Sequence, residues 1–398
     1  MSAFLREHWN RRALHVRGCA GKWRALYAPE KWSWLERAHE LEAASSEGGV
    51  QRQFRIEPER VATLFDAGCT ICANMSADPA LAWLAQFGAE LGLAGTPFAK
   101  IYASPDGGGF ALHFDMFHVF VLQLEGKKSW RFSREPAVVA PLCGGKLAED
   151  GAPVWSFPHD GEPMLDDAGE PIVAPQSLEE VVLEEGDCLY LPPGTWHVAR
   201  AFDHSLAVSV SPPRTPIYQL IARTLEDHLI QNEALRHDVF ASESALAHGR
   251  APPEIAQQFE GAIDALKALL DRLDRRMLHR VWRLNVPTPA IEGSATTIQP
   301  DDTLVHASDE LRRYLVASEP QGPEAIFFYA CGSEWSLPIE ALRFVEALAK
   351  QERFVAKDAC TWDPALAWDD VREMLEQLVA AGLLRCVSGR SVEPTRPA

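Results

Sequence analysis

Between residues 97 and 213 the chain is written in short apolar or alternating runs: FAKIYAS, HVFVLQLEG, KSWRFS, EEVVLEEGDCLYLPPG and HSLAVSVSP. Turn residues close off each run. Period-two alternation builds strands with one buried face, and turns between such strands make neighbours antiparallel. This stretch therefore commits the chain to an antiparallel β scaffold. Between its strands, 134–176 is rich in Gly, Pro and Asp and predicts a long loop insertion, a usual location for substrate contacts.

The flanks read differently, so the class is α+β. PEKWSWLERAHELEAA and PALAWLAQFGAELGL predict helices before the β region. After SPPRTP, apolar residues at 217, 220, 221, 225 and 229, and again from Ile255 to Leu284, recur at helical spacing. A GRAPPE break separates these two long amphipathic helices, which can pack on each other or on a second copy. NVPTPAIEG, from about 287, reads as a linker. The last segment predicts helix, helix and short strand, with Gly382 as a C-cap. That order is winged-helix-like. Its second helix carries Asp369, Asp370, Glu373 and Glu376 against Arg372 alone, and phosphate repels such a surface.

Length and charge narrow the function. At 398 residues the chain is too long for one small domain and suggests two or three. Lys plus Arg is 38 against 56 acids, a net charge of −18, which argues against wrapping nucleic acid and favours a basic partner. The start, MSAFLREHWNRRALHVRG, lacks a signal-length apolar core, and no later run is long enough for a bilayer. A cytoplasmic protein is the expectation. Eight scattered cysteines form no disulfide framework. The lone pair Cys69 and Cys72 is read as structural.

The chemistry lies in GGGFALHFDMFHVFVLQLEGKKSWRF, residues 107–132. Residues two apart on a strand share a face, so His113 and Asp115 project together. His197, after the Pro-Pro-Gly turn of GDCLYLPPGTWH, is the candidate third ligand. Two histidines and a carboxylate on one face of a metal leave three positions open, which suits non-haem Fe(II) and O2. On a regular strand His118 faces the other way and is expected not to be a ligand. His159 and His204 lie in loop-like sequence, and DGGGF lacks the Lys-Ser/Thr of a phosphate loop, so it reads as a turn. Glu125–Gly126 predicts a hairpin, with Lys128, Trp130 and Phe132 alternating inward and Lys127 outward. An inward lysine among aromatics is costly unless it holds an anion.

These motifs, with LYLPPGTWHVAR, HSLAVSVSP and the early EHWNRRALHVRG, resemble the JmjC-type (cupin-4) 2-oxoglutarate oxygenases, in particular the ribosomal oxygenase branch. The resemblance covers nearly the whole chain. It implies a double-stranded β-helix (residues 1–213 with its N-terminal helical part), a helical dimerisation segment (214–286) and an acidic winged-helix-like domain (287–398). It implies Fe(II) at His113, Asp115 and His197, and Lys128 for the tail of 2-oxoglutarate. It places Tyr102 and Ser211 along the co-substrate or peptide site. Asn usually stands two residues before that tyrosine. Here Lys100 does, and it either replaces the second co-substrate contact or shifts substrate choice.

The expected reaction is O2- and 2-oxoglutarate-dependent hydroxylation of a basic protein or peptide, possibly ribosomal, by a homodimer. Three other readings stand beside it: a tailoring hydroxylase for a cluster-encoded peptide or small molecule, a non-catalytic cupin-fold adaptor, and a lysine demethylase.

Overall fold

The computed structural model describes residues 2–25, 33–47, 50–75, 81, 83–91, 93, 97–156, 159, 161–165, 169–239, 253–285, 297–307, 309–318, 323–330 and 333–387. The chain divides into two compact units, Met1–Arg214 and Thr215–Ala398.

Among the described residues the first unit forms an antiparallel sheet of twelve strands. They are β1 (Leu14–Val16), β2 (Glu40–Glu47), β3 (Val50–Arg55), β4 (Thr70–Asn74), β5 (Phe98–Pro105), β6 (His113–Phe114), β7 (Val119–Phe132), β8 (Gly145–Leu147), β9 (Pro153–Trp155), β10 (Glu179–Leu183), β11 (Cys188–Leu191) and β12 (His197–Ser211). Its main path runs β1-β11-β7-β12-β5-β4-β2-β3. Among the described residues three α-helices accompany it: α1 (Ser2–Glu7), α2 (Val61–Asp66) and α3 (Trp83–Glu90). Ile71, Ile101, Leu122, Leu124, Val208 and Val210 pack with Val61 and Leu84 in one core on the helix side. On the other side the sheet wraps a cavity of about 800 Å³, whose wall draws residues from β3, β5, β6, β7, β8 and β12.

Two sequence expectations give way here. HELEAA is the strand β2, not a helix. Leu41 and Ala43 are buried two apart, and pairing with β3 and β4 on either side overrides the helix preference of Glu and Ala. There is also no hairpin at Glu125–Gly126. β7 runs through that point as one 14-residue strand beside the 15-residue β12. The ladder is irregular there: its register shifts between Phe202 and Ser205 and again between Leu206 and Ala207.

The irregularity changes the face of β7. Val119 and Val121 line the cavity before it, Lys128 and Trp130 after it. Odd residues thus give way to even ones, as an extra residue in a period-two strand demands. On β12, His197, Ala207 and Ser209 all keep odd parity. Gly126 makes the bend with φ +67°, and a Cβ there would stand 2.0 Å from the His204 carbonyl oxygen. Only glycine fits such a position without strain.

In the second unit, α4 (Ile217–Leu229), α5 (Pro253–Leu270) and α6 (Arg275–Leu284) precede two three-stranded sheets. The periodicity from Ile255 to Leu284 belongs to two helices rather than one. Asp274 caps α6 by accepting from the Met277 N–H, which ends any continuation from α5. The strands are β13 (Thr303–His306), β14 (Leu315–Ser318), β15 (Glu324–Ala330), β16 (Ser333–Pro338), β17 (Arg353–Val355) and β18 (Leu384–Cys386). β17-β13-β18 forms one sheet and β14-β15-β16 the other. Helices α7 (Leu342–Leu348) and α8 (Trp368–Ala380) share a core with Leu304 and Phe354 of the first sheet. Most of GRAPPE and nearly all of NVPTPAIEG lie outside the described residues. Among the described residues no helix is long and apolar enough to cross a membrane.

Gly126→Val forces a β-branched side chain into the left-handed region against a backbone carbonyl. It is expected to lower unfolding stability by about 1–3 kcal/mol, read as a lower urea midpoint at an unchanged slope.

Candidate active site

Two chain segments meet to form the site. The strand β6 ends at Phe114, one residue short of the expected His-x-Asp strand, yet the alternation continues. His113 and Asp115 line the cavity, and Phe114 between them, 1% exposed, packs with Trp196 and Met164. His197, the first residue of β12, sits directly opposite His113 in the ladder. The Gly194 N–H donates to the Asp115 carbonyl at 2.9 Å, tying the Pro-Pro-Gly turn to the carboxylate segment. Gly194 makes that turn with φ +78°, its Cα packed where a Cβ would strike the Val138 carbonyl.

The donor atoms of His113, Asp115 and His197 lie within 4.8 Å of one another, and His197 Nε2 is 3.7 Å from Asp115 Oδ2. Each imidazole is oriented from behind. His113 Nδ1–H donates to the Ala111 carbonyl at 2.7 Å, and His197 Nδ1–H donates to the Thr195 carbonyl at 2.8 Å. A carbonyl can only accept, so the Nδ1 atoms carry the protons and the Nε2 lone pairs remain for a metal. Burial, then the neighbouring His113, pushes the His197 pKa down to about 4, which keeps this ligand neutral and ready to coordinate near neutral pH. Two imidazoles and a carboxylate fit a divalent first-row metal with open positions.

Lys128 reaches the same cavity from β7. It is 3% exposed, and its Nζ donates to the Ser104 hydroxyl at 2.8 Å. Ser104 also accepts from Thr70 Oγ1 at 3.1 Å. No carboxylate pairs with Lys128 among the described residues, and burial pushes its pKa down to about 8. An ammonium held this way, with a hydroxyl partner only, is a seat for an anion. Lys127 points outward and pairs with Glu184 at 2.6 Å.

The remaining expected residues are placed as follows. Tyr102 lines the cavity, and burial holds its phenol well above the ordinary range. Lys100 also lines it, with Nζ 3.4 Å from Glu42 Oε2. Ser211 does not line the cavity. It shares the odd face of β12 with Ser209, and Ser209 is the serine on the wall. His118 is no ligand: it stacks on Trp9 at 3.6 Å between ring centroids and bonds the Tyr190 hydroxyl at 2.9 Å. His159 pairs with Glu162, His204 is exposed, and Cys69 and Cys72 are buried free thiols.

Sequence reasoning missed Ser104, Thr70, Glu42, Gln51 and Gln53. Ser104 was recoverable, because it stands two residues after Tyr102 on the same strand. The two glutamines were hidden, because nothing in VQRQFR marks a strand beside the site.

Residues 89–220 match the JmjC domain family. Over 287 residues the chain is 26% identical to the protein YxbC of Bacillus subtilis (strain 168), covering 67% of this chain and 82% of that one. Over 229 residues it is 31% identical to ribosomal oxygenase 1 of Gallus gallus, covering 52% of this chain; it spans 34% of that protein's length. A solved structure of YcfD, a ribosomal oxygenase from Escherichia coli in complex with cobalt and 2-oxoglutarate, is 18% identical with a TM-score of 0.45, covering 97% of this chain and 98% of that one.

The buried His118 yields a prediction. Burial, then Arg214, lowers its pKa to about 3, against about 6.5 in the unfolded chain. Above pH 6.5 neither state binds the proton. As pH falls from 6.5 toward 3 only the unfolded state takes it up, so the fold loses stability across that window. His118 alone accounts for about 2 kcal/mol lost by pH 5. His118→Phe is expected to flatten the fall in urea midpoint between pH 7 and 5.

Proposed function

We propose that this protein is an Fe(II)- and 2-oxoglutarate-dependent oxygenase that hydroxylates a side chain of a protein or peptide. The observation that carries this is one cavity lined both by the His113, Asp115 and His197 donors and by the buried Lys128. Three facial ligands leave three positions, enough for a two-point chelate and O2. A ferrous ion bound there supplies the oxygen chemistry: 2-oxoglutarate, O2 and a C–H bond give succinate, CO2 and the alcohol.

The chain's own residues do the rest. The Ala111 and Thr195 carbonyls hold both imidazoles with Nε2 forward. The Lys128 ammonium seats the far carboxylate of the diacid, and Ser104 with Thr70 holds that ammonium in place. Tyr102 and Ser209 line the wall that the substrate passes. Lys100 is already paired with Glu42, which supports a part in substrate choice rather than in seating the diacid.

The finer reading extends to the rest of the chain. We place the protein in the cytoplasm as a homodimer with a basic polypeptide target, possibly ribosomal, in keeping with the net charge of −18. Ile217, Tyr218, Phe259, Ile263 and Leu270 are all about half exposed or more on α4 and α5, which supports pairing of two copies through 214–286. Two helices packed on the β17-β13-β18 sheet support a winged-helix-like end. The acids Asp369, Asp370, Glu373 and Glu376 make that end a protein contact rather than a nucleic-acid reader.

The purified protein with Fe(II), ascorbate and 2-oxoglutarate is expected to form succinate, and to lose that activity by more than about 100-fold in His197→Ala. Cobalt(II) titration gives a second readout, with wild type binding one ion and His197→Ala none. Equal metal binding in both proteins contradicts the assignment and favours the adaptor reading.

A further inference from the structure

Among the described residues the edge of the sheet beside the cavity is open: β3 is the last strand of the path β4-β2-β3 and pairs there with β2 alone. Antiparallel partners alternate between pairs that exchange backbone hydrogen bonds and pairs that turn theirs outward. Here the alternation can be assigned. The Ile56 N–H donates to the Leu41 carbonyl at 3.0 Å, so 41 with 56 is a bonded pair. The register Glu42↔Arg55, Ala44↔Gln53 and Ser46↔Gln51 then falls on the outward pairs.

The far side of β2 gives an independent check. The Met75 N–H donates to the Ala99 carbonyl, and Ile71↔Ala103 and Ala73↔Ile101 continue in step, so Ile71 and Ala73 bond toward β5. Thr70 and Cys72 therefore bond toward β2, where they meet Ala44 and Glu42. Those two residues are turned away from β3, as required. The backbone N–H and C=O groups of Gln51, Gln53 and Arg55 thus point off the sheet edge, and among the described residues no backbone group answers them.

The same strand also forms part of the cavity. The side chains of Gln51 and Gln53 line its wall. Gln53 Nε2 donates to Glu42 Oε2 at 2.8 Å and Gln51 Nε2 to Gln53 Oε1 at 3.3 Å. Gln51 Oε1 in turn accepts the Ala111 N–H at 3.2 Å, and Ala111 is the residue whose carbonyl orients the ligand His113. A row of unfilled backbone groups therefore lies two hydrogen bonds from the metal site.

We propose that the substrate is an extended polypeptide that adds to the free edge of β3 as a further antiparallel or parallel strand, with one of its side chains directed into the cavity. This rests on the oxygenase reading above. An unpaired edge is a template for a strand, and main-chain hydrogen bonds supply affinity while alternate side chains supply specificity. Side chains of the added strand alternate between the two faces of the sheet, so every second one points the way Gln51 and Gln53 do. A small molecule makes no use of such a row, and the edge thus separates a polypeptide substrate from a small one.

Proline removes an edge N–H and leaves the β2–β3 ladder intact, because the outward residues donate nothing to β2. The test compares Arg55→Pro with Arg55→Ala, and Gln53→Pro with Gln53→Ala. The alanines change the side chain and keep the N–H. The full-length protein is incubated with Fe(II), 2-oxoglutarate and O2, and with a denatured whole-proteome extract from a strain lacking the gene. Mass spectrometry reads polypeptide hydroxylation as a ratio to succinate formed.

Each proline variant is expected to give a ratio at least fivefold below its alanine partner. Two positions are used so that one variant's failure to fold does not end the test. Ratios within twofold at both positions overturn the proposal, as does a wild type that makes succinate but hydroxylates no polypeptide. A wild type that makes no succinate overturns the oxygenase reading itself, which is a separate result.

Discussion

The site depends on a change of face in one strand. β7 presents Val119 and Val121 to the cavity at one end and Lys128 and Trp130 at the other, which a regular period-two strand cannot do. Leu124 is the residue of β7 left without a partner in the ladder, Gly126 bends nearby at φ +67°, and β12 leaves Asp203 and His204 unpaired opposite. Without that step the ammonium of Lys128 would share a face with Leu122 and Leu124, inside the apolar core on the helix side. The bulge thus places a cation and the metal donors in one cavity while leaving both long strands intact.

That reliance on one bend also separates what was legible in the sequence from what was not. The three candidate ligands were legible because their geometry is local. His113 and Asp115 are two apart, and His197 follows a Pro-Pro-Gly turn whose outcome is stereotyped. Lys128 was placed correctly for a reason that did not hold, since a bulge rather than a hairpin resets its face. Both devices use Gly at positive φ, and the residue string does not distinguish them.

Other features depended on tertiary pairing. HELEAA carries helix-forming residues but lies between two strands, and VQRQFR shows no alternation of apolar and polar residues to announce an edge. Ser211 and Ser209 share a face, so period alone could not say which reaches the cavity. The division between the two compact units, after Arg214, falls where the sequence period changes at SPPRTP. The break over 271–274 between α5 and α6 was not legible, because apolar spacing continues across it and the cap at Asp274 is a single residue.

The chain carries a net charge of −18, yet Lys100, Lys128 and Lys146 all line the cavity. Lys100 is balanced by Glu42, while among the described residues Lys128 has only the Ser104 hydroxyl. A buried cation without a counter-ion destabilises a fold, and under the proposed function the far carboxylate of the diacid brings the missing charge. The most direct measurement is therefore a comparison of ligands that differ only in that charge. Under anaerobic conditions the Fe(II) protein is titrated with 2-oxoglutarate and with 2-oxobutyrate, which lacks the far carboxylate, and the chelate is followed by its visible absorption. Wild type is predicted to prefer 2-oxoglutarate by at least about 30-fold, near the 2 kcal/mol of a buried charge-assisted hydrogen bond, and Lys128→Met to lose most of that preference. Equal affinity of the wild type for both acids contradicts the account.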